Sequence, residues 1–263
     1  MNSFPGLSIA RETARDKWKI TALLTFIFMG FSAMYIGIYP SFEDALDQLT
    51  AMPFEFIRGF GAMDTFVGYI NMELYQIFWV LILSTLLAYI SASIISEEVE
   101  SGTIDILLAN PISRKRVVLE KFLGMFPLVF TVNFATMGTV YVMTLAIEEN
   151  IVFSHLLLTH LWSIPYFLAV VSISLVVSVI LDKKMRASIV SMAFIVAMYI
   201  FESIVQLVPD YEGVGSISLI HYFDPSDSLV GGKISVLDPL VLIAVILASV
   251  FFAVLYFERK DIL

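Results

Sequence analysis

Three acids, Glu97, Glu98 and Glu100, stand shortly before three consecutive cations, Arg114, Lys115 and Arg116, in the stretch SEEVESGTIDILLANPISRKR. The chemistry open to this pattern is recognition, by charge and by the short apolar run between the charges. Other candidates for chemistry are few. Cysteine is absent, which removes disulfides, thiolate metal sites and cysteine nucleophiles. The histidines are His155, His160 and His221, and no H-E-x-x-H pair exists, so a zinc protease of that type is excluded. They fall in loops or at the ends of apolar segments and read as interfacial polar residues, badly placed for a bis-histidine haem. The nearest approach to a phosphate-binding loop, DSLVGGKIS, has Asp227 where the first glycine belongs and Ile234 after Lys233. Glu202 is the one acid inside a long apolar segment, where a carboxyl is costly and commonly faces protein or a water-filled path. Asn133 lies in another such segment and suits an interhelical hydrogen bond.

The elements that must position these residues are membrane spans. The 263-residue chain is 59% hydrophobic and 15% charged, too apolar for a soluble domain. A helix needs about 20 apolar residues to cross a bilayer core. Six segments qualify, at 20–39, 74–95, 122–147, 161–181, 187–208 and 239–257. Their continuous runs lack the alternation of barrel strands. The expected fold is therefore an all-α membrane protein, a single domain over residues 1–263 with both termini on one side. The third segment exceeds the core thickness, with Pro127 near its start. The first seventeen residues hold no apolar core of signal-peptide length, so the first span is expected to be retained.

Charge sets the orientation. Thirteen of the 15 basic residues fall on one face of the six-span arrangement, which is cytoplasmic by the positive-inside rule; Arg58 and Lys233 fall on the other. Thirteen cations against ten acids leave the inner side at +3, and two against thirteen leave the outer side at -11, with Glu202 completing the total of -9. Two longer outer segments are expected to hold short helices. In the first, after Pro40, Ser41 can cap a helix with Glu43 and Asp44 in its first turn. In the second, Asp-Pro, Ser-Asp and Gly-Gly punctuation breaks the chain into short pieces before the sixth span.

Within the opening stretch, Glu97, Glu98 and Glu100 extend the second span below the headgroups, and Gly102 lets the chain turn at positive φ. Thr103 can cap the next helix and Asp105 suits its first turn. Ile104, Leu107 and Leu108 share one face until Asn110 and Pro111 stop it, and Ser113 caps the helix that follows. A short amphipathic helix between two spans either lies in the headgroup layer or docks to a soluble partner. Three glutamates beside an anionic leaflet favour docking.

In that segment, EEVESGTIDILLANPISRKRVVLEKFLG resembles the region after the second span in permeases of the ABC-2 family, the membrane halves of one class of ABC exporters. The six spans, the basic LDKKMR between the fourth and fifth, the broken outer segment and the FERKDIL end extend the likeness over nearly the whole chain. The resemblance implies that the short helix is a coupling helix docking to an ATP-hydrolysing subunit through Glu97, Glu98, Glu100, Gly102, Thr103, Asp105, Leu107, Leu108, Pro111, Ser113 and Arg114. Asn110 departs from the small residue frequent in the family. It further implies a multi-pass permease of the cell membrane, paired with a second copy or paralogue in the lipid bilayer, with the first, second and fifth spans nearest their interface. ATP and Mg belong to the ATPase subunit. No cofactor is expected in this chain, no enzymatic activity of its own, and nucleic acid is not an expected partner. Glu202 is a candidate for the translocation path, and Leu107→Asp is expected to uncouple transport. Two rival classes stay open: a membrane-embedded enzyme or cofactor-assembly protein using the outer histidines and acids, and a passive channel or carrier working through Glu202.

Overall fold

The computed structural model describes residues 7–50, 65–109, 112–207 and 209–261, with the backbone alone for 44–50, 207 and 209–212. Among them there is no strand. The helices are α1 (Ser8–Asp16), α2 (Trp18–Thr50), α3 (Phe66–Ile70), α4 (Ser84–Glu100), α5 (Thr103–Leu108), α6 (Arg114–Leu123), α7 (Phe126–Ala146), α8 (Phe153–Ile180), α9 (Lys184–Leu207) and α10 (Leu237–Arg259). Six continuous helical stretches are long and apolar enough to cross a membrane, as expected. The spans carried by α4, α7 and α8 are the most buried, while those of α2, α9 and α10 lie at the periphery. Helix α8 is the hub: it packs on α4, α7, α9 and α10, and α2 packs on α7. Its buried face carries Ser163, Ser172, Ser174 and Ser178 among Ala169, Val170 and Leu175, small residues that let neighbouring backbones come close.

Several boundaries differ from those read in the sequence. The first span does not stop at Pro40: α2 runs through it to Thr50, so no separate helix starts at Ser41. A proline inside a membrane helix is tolerated where neighbours satisfy the disturbed backbone. Pro40 leaves the Ile36 carbonyl without its intrahelical donor; one residue earlier the Tyr69 hydroxyl of the second span donates to the Tyr35 carbonyl at 3.3 Å, which ties this part of α2 to the second span. The rest of that expected outer helix, 51–64, lies outside the described residues. The second span starts at Phe66, well before residue 74, where Thr65 caps it by accepting from Gly68 N at 3.1 Å.

Between α3 and α4 the second span widens into i→i+5 turns over Asn71–Leu83. Widened turns leave carbonyls to side-chain donors. The Tyr166 hydroxyl supplies one, donating to the Val80 carbonyl at 3.2 Å while accepting from Ser84 Oγ at 3.1 Å.

The third span is jointed. Helix α6 ends at Gly124, and α7 restarts with Pro127 in its first turn, where a missing N–H costs nothing. A Cβ on Gly124 would lie 2.6 Å from Thr13 Cβ and 2.9 Å from the Ala10 carbonyl, because α1 crosses there. Buried Glu120 caps α1, accepting from Ile9 N at 2.7 Å and Ala10 N at 3.1 Å, and its other oxygen meets Arg116 Nε at 2.5 Å. The second outer segment is a series of short turns, Pro209–Ile217, Ile220–Tyr222 and Ser226–Val230, in line with its punctuation.

Candidate functional site

At the basic end of the bundle, Glu97, Glu98 and Glu100 are partnered within the chain rather than freely exposed. Glu97 Oε1 meets Lys184 Nζ at 2.6 Å and its Oε2 lies 4.0 Å from Lys17 Nζ. Glu98 pairs with Lys121 of α6, whose side chain is only 8% exposed. Glu100 Oε2 accepts from Lys184 N at 2.8 Å, capping the start of α9. Burial lowers the Lys17 ammonium's pKa; the Glu97 carboxylate opposes that, and the Lys184 and Lys121 charges add to it. The last turn of α4 thus reaches the α1–α2 joint, α6 and α9 at once. The basic tail closes the collar: Arg114 donates to the carbonyls of Phe257, at 3.2 Å, and Lys260, with its guanidinium 5.9 Å from the Phe257 ring centre. Lys260 Nζ in turn caps α8, donating to the Val179 carbonyl at 2.6 Å and pairing with Asp182.

Helix α5 hangs below this collar. Gly102 has φ 71°, the left-handed turn expected of it. Thr103 does not cap α5: it is the helix's first residue, and its hydroxyl turns back to Ser101 Oγ at 2.9 Å and the Glu98 carbonyl at 3.4 Å. The apolar stripe points inward. Ile104 is fully buried, and Leu107 and Leu108 are half-buried against the core. The outward face presents Asp105 and Ile106, the latter 71% exposed. Ile106 falls outside the i, i+3, i+4 stripe, so the apolar pattern of the sequence does not single it out. Ser113 caps α6 as expected, accepting from Arg116 N at 3.3 Å. Asn110 and Pro111 lie outside the described residues.

The acidic end is built differently. Glu202, near the end of α9, does not reach the surface: it is 4% exposed. Its Oε1 lies 3.3 Å from His221 Nδ1, and its Oε2 has no hydrogen-bond partner. Gly215 makes room for this histidine, since a Cβ there would sit 2.9 Å from His221 Nδ1. Glu202 lines a cavity of about 520 Å³ together with Gln76, His221, Asp224, Asp227 and Asp238. Gln76 Nε2, on the widened segment of the second span, donates to Asp224 Oδ1 at 3.0 Å, and Ser226 N does so at 2.8 Å. Burial first, then the Asp224 and Asp238 carboxylates, raises the Asp227 carboxyl's pKa, with Lys233 opposing.

One of the three histidines does not sit as an interfacial residue would. His160 is fully buried on α8, because the fourth span begins at Phe153 rather than at residue 161. Asn133 holds it in place. The Asn133 amide donates to the His160 carbonyl at 3.1 Å and to Ser163 Oγ at 2.5 Å, so Oδ1 is left to accept from His160 Nδ1–H at 2.8 Å. His160 Nε2 then accepts from the Tyr75 hydroxyl at 2.9 Å. Every polar atom of the histidine ring is satisfied, which makes this cluster a lock between the second, third and fourth spans and not a metal or haem site. Among the described residues no group of three or more histidine or acidic side chains could hold a metal ion.

A family model described as "ABC-2 family transporter protein" matches residues 10–262. Curated proteins contain no match to the chain. Six apolar helices, a short helix slung between the second and third, and a match reaching from α1 almost to the final residue agree with one another. This chain is a multi-pass integral membrane protein and belongs to the ABC-2 family of transporter proteins.

Proposed function

We propose that the chain is the permease subunit of an ATP-binding-cassette exporter in the cell membrane. Its basic end faces the cytosol, two copies or two related chains form the path, and a separate ATPase subunit drives it. The family match over residues 10–262 carries this reading. ATP and Mg bind on the partner, since DSLVGGKIS lacks the glycine and hydroxyl residue of a phosphate-binding loop. Helix α5 is the element that meets the ATPase, through its outward face at Asp105 and Ile106. Motion of α5 is transmitted because Glu97, Glu98 and Glu100, directly before it, grip Lys17, Lys121 and Lys184 on three other parts of the bundle. A shift of the coupling helix therefore pulls α9 and the α1–α2 joint together, a rigid-body response.

The test is copurification of a P-loop ATPase with the tagged protein in mild detergent. Ile106→Asp is expected to lose the ATPase while thermal unfolding of the permease stays unchanged, because the side chain is exposed. Leu107→Asp is expected to lower stability by about 1–3 kcal/mol, since it sets a carboxylate against the core, so its effect on transport reports folding as well as docking. An ATPase that stays bound to Ile106→Asp removes α5 from the interface.

A further inference from the structure

We propose that the cavity at the acidic end binds an organic cation carrying one or more ammonium groups, which makes cationic amines the substrate class of this permease. The transport half of this statement rests on the exporter reading; the binding half does not. Three observations converge on the cavity. Its about 520 Å³ falls in the range of small-molecule sites. Four carboxylates, Glu202, Asp224, Asp227 and Asp238, line it, against Lys233, which acts on Asp227, and His221, which faces Glu202 Oε1 and acts on Asp238. Most telling is Glu202, whose side chain is 5% exposed and whose Oε2 finds no donor. A buried carboxylate oxygen without a partner is costly, and an ammonium group in the cavity supplies the missing donor and the missing charge together.

The geometry also says which kind of cation. The acids come from different elements: Glu202 from α9, Asp224 and Asp227 from the turns before α10, and Asp238 from the start of α10. They do not converge as metal ligands do. Between them lie apolar walls, Val205 and Ile220, which suit the methylene stem of an amine and are wasted on a hydrated metal ion. Gln76 already fills one oxygen of Asp224, which leaves Glu202 and Asp227 as the principal anchors.

The experiment is isothermal titration of spermidine into the purified full-length protein in nanodiscs of zwitterionic phosphatidylcholine, at fixed ionic strength. Saturable binding is expected, weakened at least tenfold by Glu202→Gln and by Asp227→Asn and unchanged by Glu12→Gln, an exposed acid of α1 at the opposite end. Magnesium chloride at equal ionic strength is expected not to displace it. Absence of saturable binding, binding by both cavity variants as tight as by the parent protein, or displacement by magnesium as effective as by spermidine itself overturns the proposal. Glu202→Gln preserves shape, and thermal unfolding of each variant confirms that it is folded. ATPase copurification is measured on the same preparations. A bound ATPase without spermidine binding sinks this inference alone, and spermidine binding without an ATPase sinks the exporter reading alone.

Discussion

The two ends of this bundle hold carboxylates in opposite ways. At the basic end each of three glutamates in the last turn of α4 meets a lysine or a helix start from another element, so their charges join α1, α2, α4, α6 and α9. At the acidic end four carboxylates gather round a cavity, and the buried one lacks a partner for half its group. In the first arrangement every glutamate meets a lysine or a backbone N–H of another element, with Glu98 Oε2 left without a hydrogen bond, and these contacts resist separation. The second is complete only with a cation. On the proposed function the two arrangements suit different tasks: a stiff joint where the ATPase would apply force, and a site elsewhere whose occupancy that force would change.

The contrast breaks most visibly at Lys121. Its side chain is 8% exposed and its pair, Glu98, has its other oxygen buried without a hydrogen bond. Lys121→Met is expected to cost about 2–3 kcal/mol, less than for a fully buried pair because Glu98 is still a quarter exposed. The double variant Lys121→Met with Glu98→Gln should recover most of that loss in thermal unfolding. A double variant as unstable as the single one places the cost in lost packing of the lysine stem, not in charge. Glu202→Gln should act with the opposite sign, stabilising the protein by about 1 kcal/mol at neutral pH without ligand, because it removes an incompletely paired buried carboxylate. A destabilised Glu202→Gln would mean that the contact with His221 already satisfies the acid.

Much of this contrast was legible in the sequence, and the illegible part has a common cause. Composition and runs of apolar residues identify six spans, and glycine and serine chemistry places the turn at Gly102 and the cap at Ser113, since each depends on residues adjacent in the chain. Boundaries failed where a distant residue overrides the local signal. Pro40 does not end α2, which continues to Thr50 with Tyr69 of the second span bonded to Tyr35 nearby, and His160 reads as interfacial only until Asn133 and Tyr75 are brought against it. Pairing of Glu97 with Lys184, and the facing of the 104, 107 and 108 stripe toward the protein's own core, are likewise long-range facts. Charge sums over a loop cannot distinguish acids awaiting a partner from acids already joined to one.

Smaller effects sharpen the comparison. Lys184→Ala removes an ion pair whose partners are 39% and 45% exposed, so its cost is about 0.5 kcal/mol, well below that of Lys121→Met. Equal costs for the two lysines would deny that burial ranks the collar's contacts.

The finest distinction comes from pH at Asp227. Burial, then Asp224 and Asp238, raise its carboxyl's pKa against the pull of Lys233, and Glu202 and His221 complete the charged groups lining the same cavity. A carboxyl whose folded value is raised binds its proton more tightly in the folded state, so its contribution to stability declines as pH rises from the ordinary aspartate range through the raised value. Asp227→Asn removes that decline. The variant should therefore unfold at a slightly higher temperature than the parent at neutral pH, by a small margin because the residue is exposed, and at the same temperature below the ordinary aspartate range. At the basic end Glu97→Gln should do the reverse, destabilising at neutral pH, because there the lost charge had a lysine on either side. A melting difference for Asp227→Asn that is constant across pH would assign its effect to packing and erase the electrostatic contrast between the two ends.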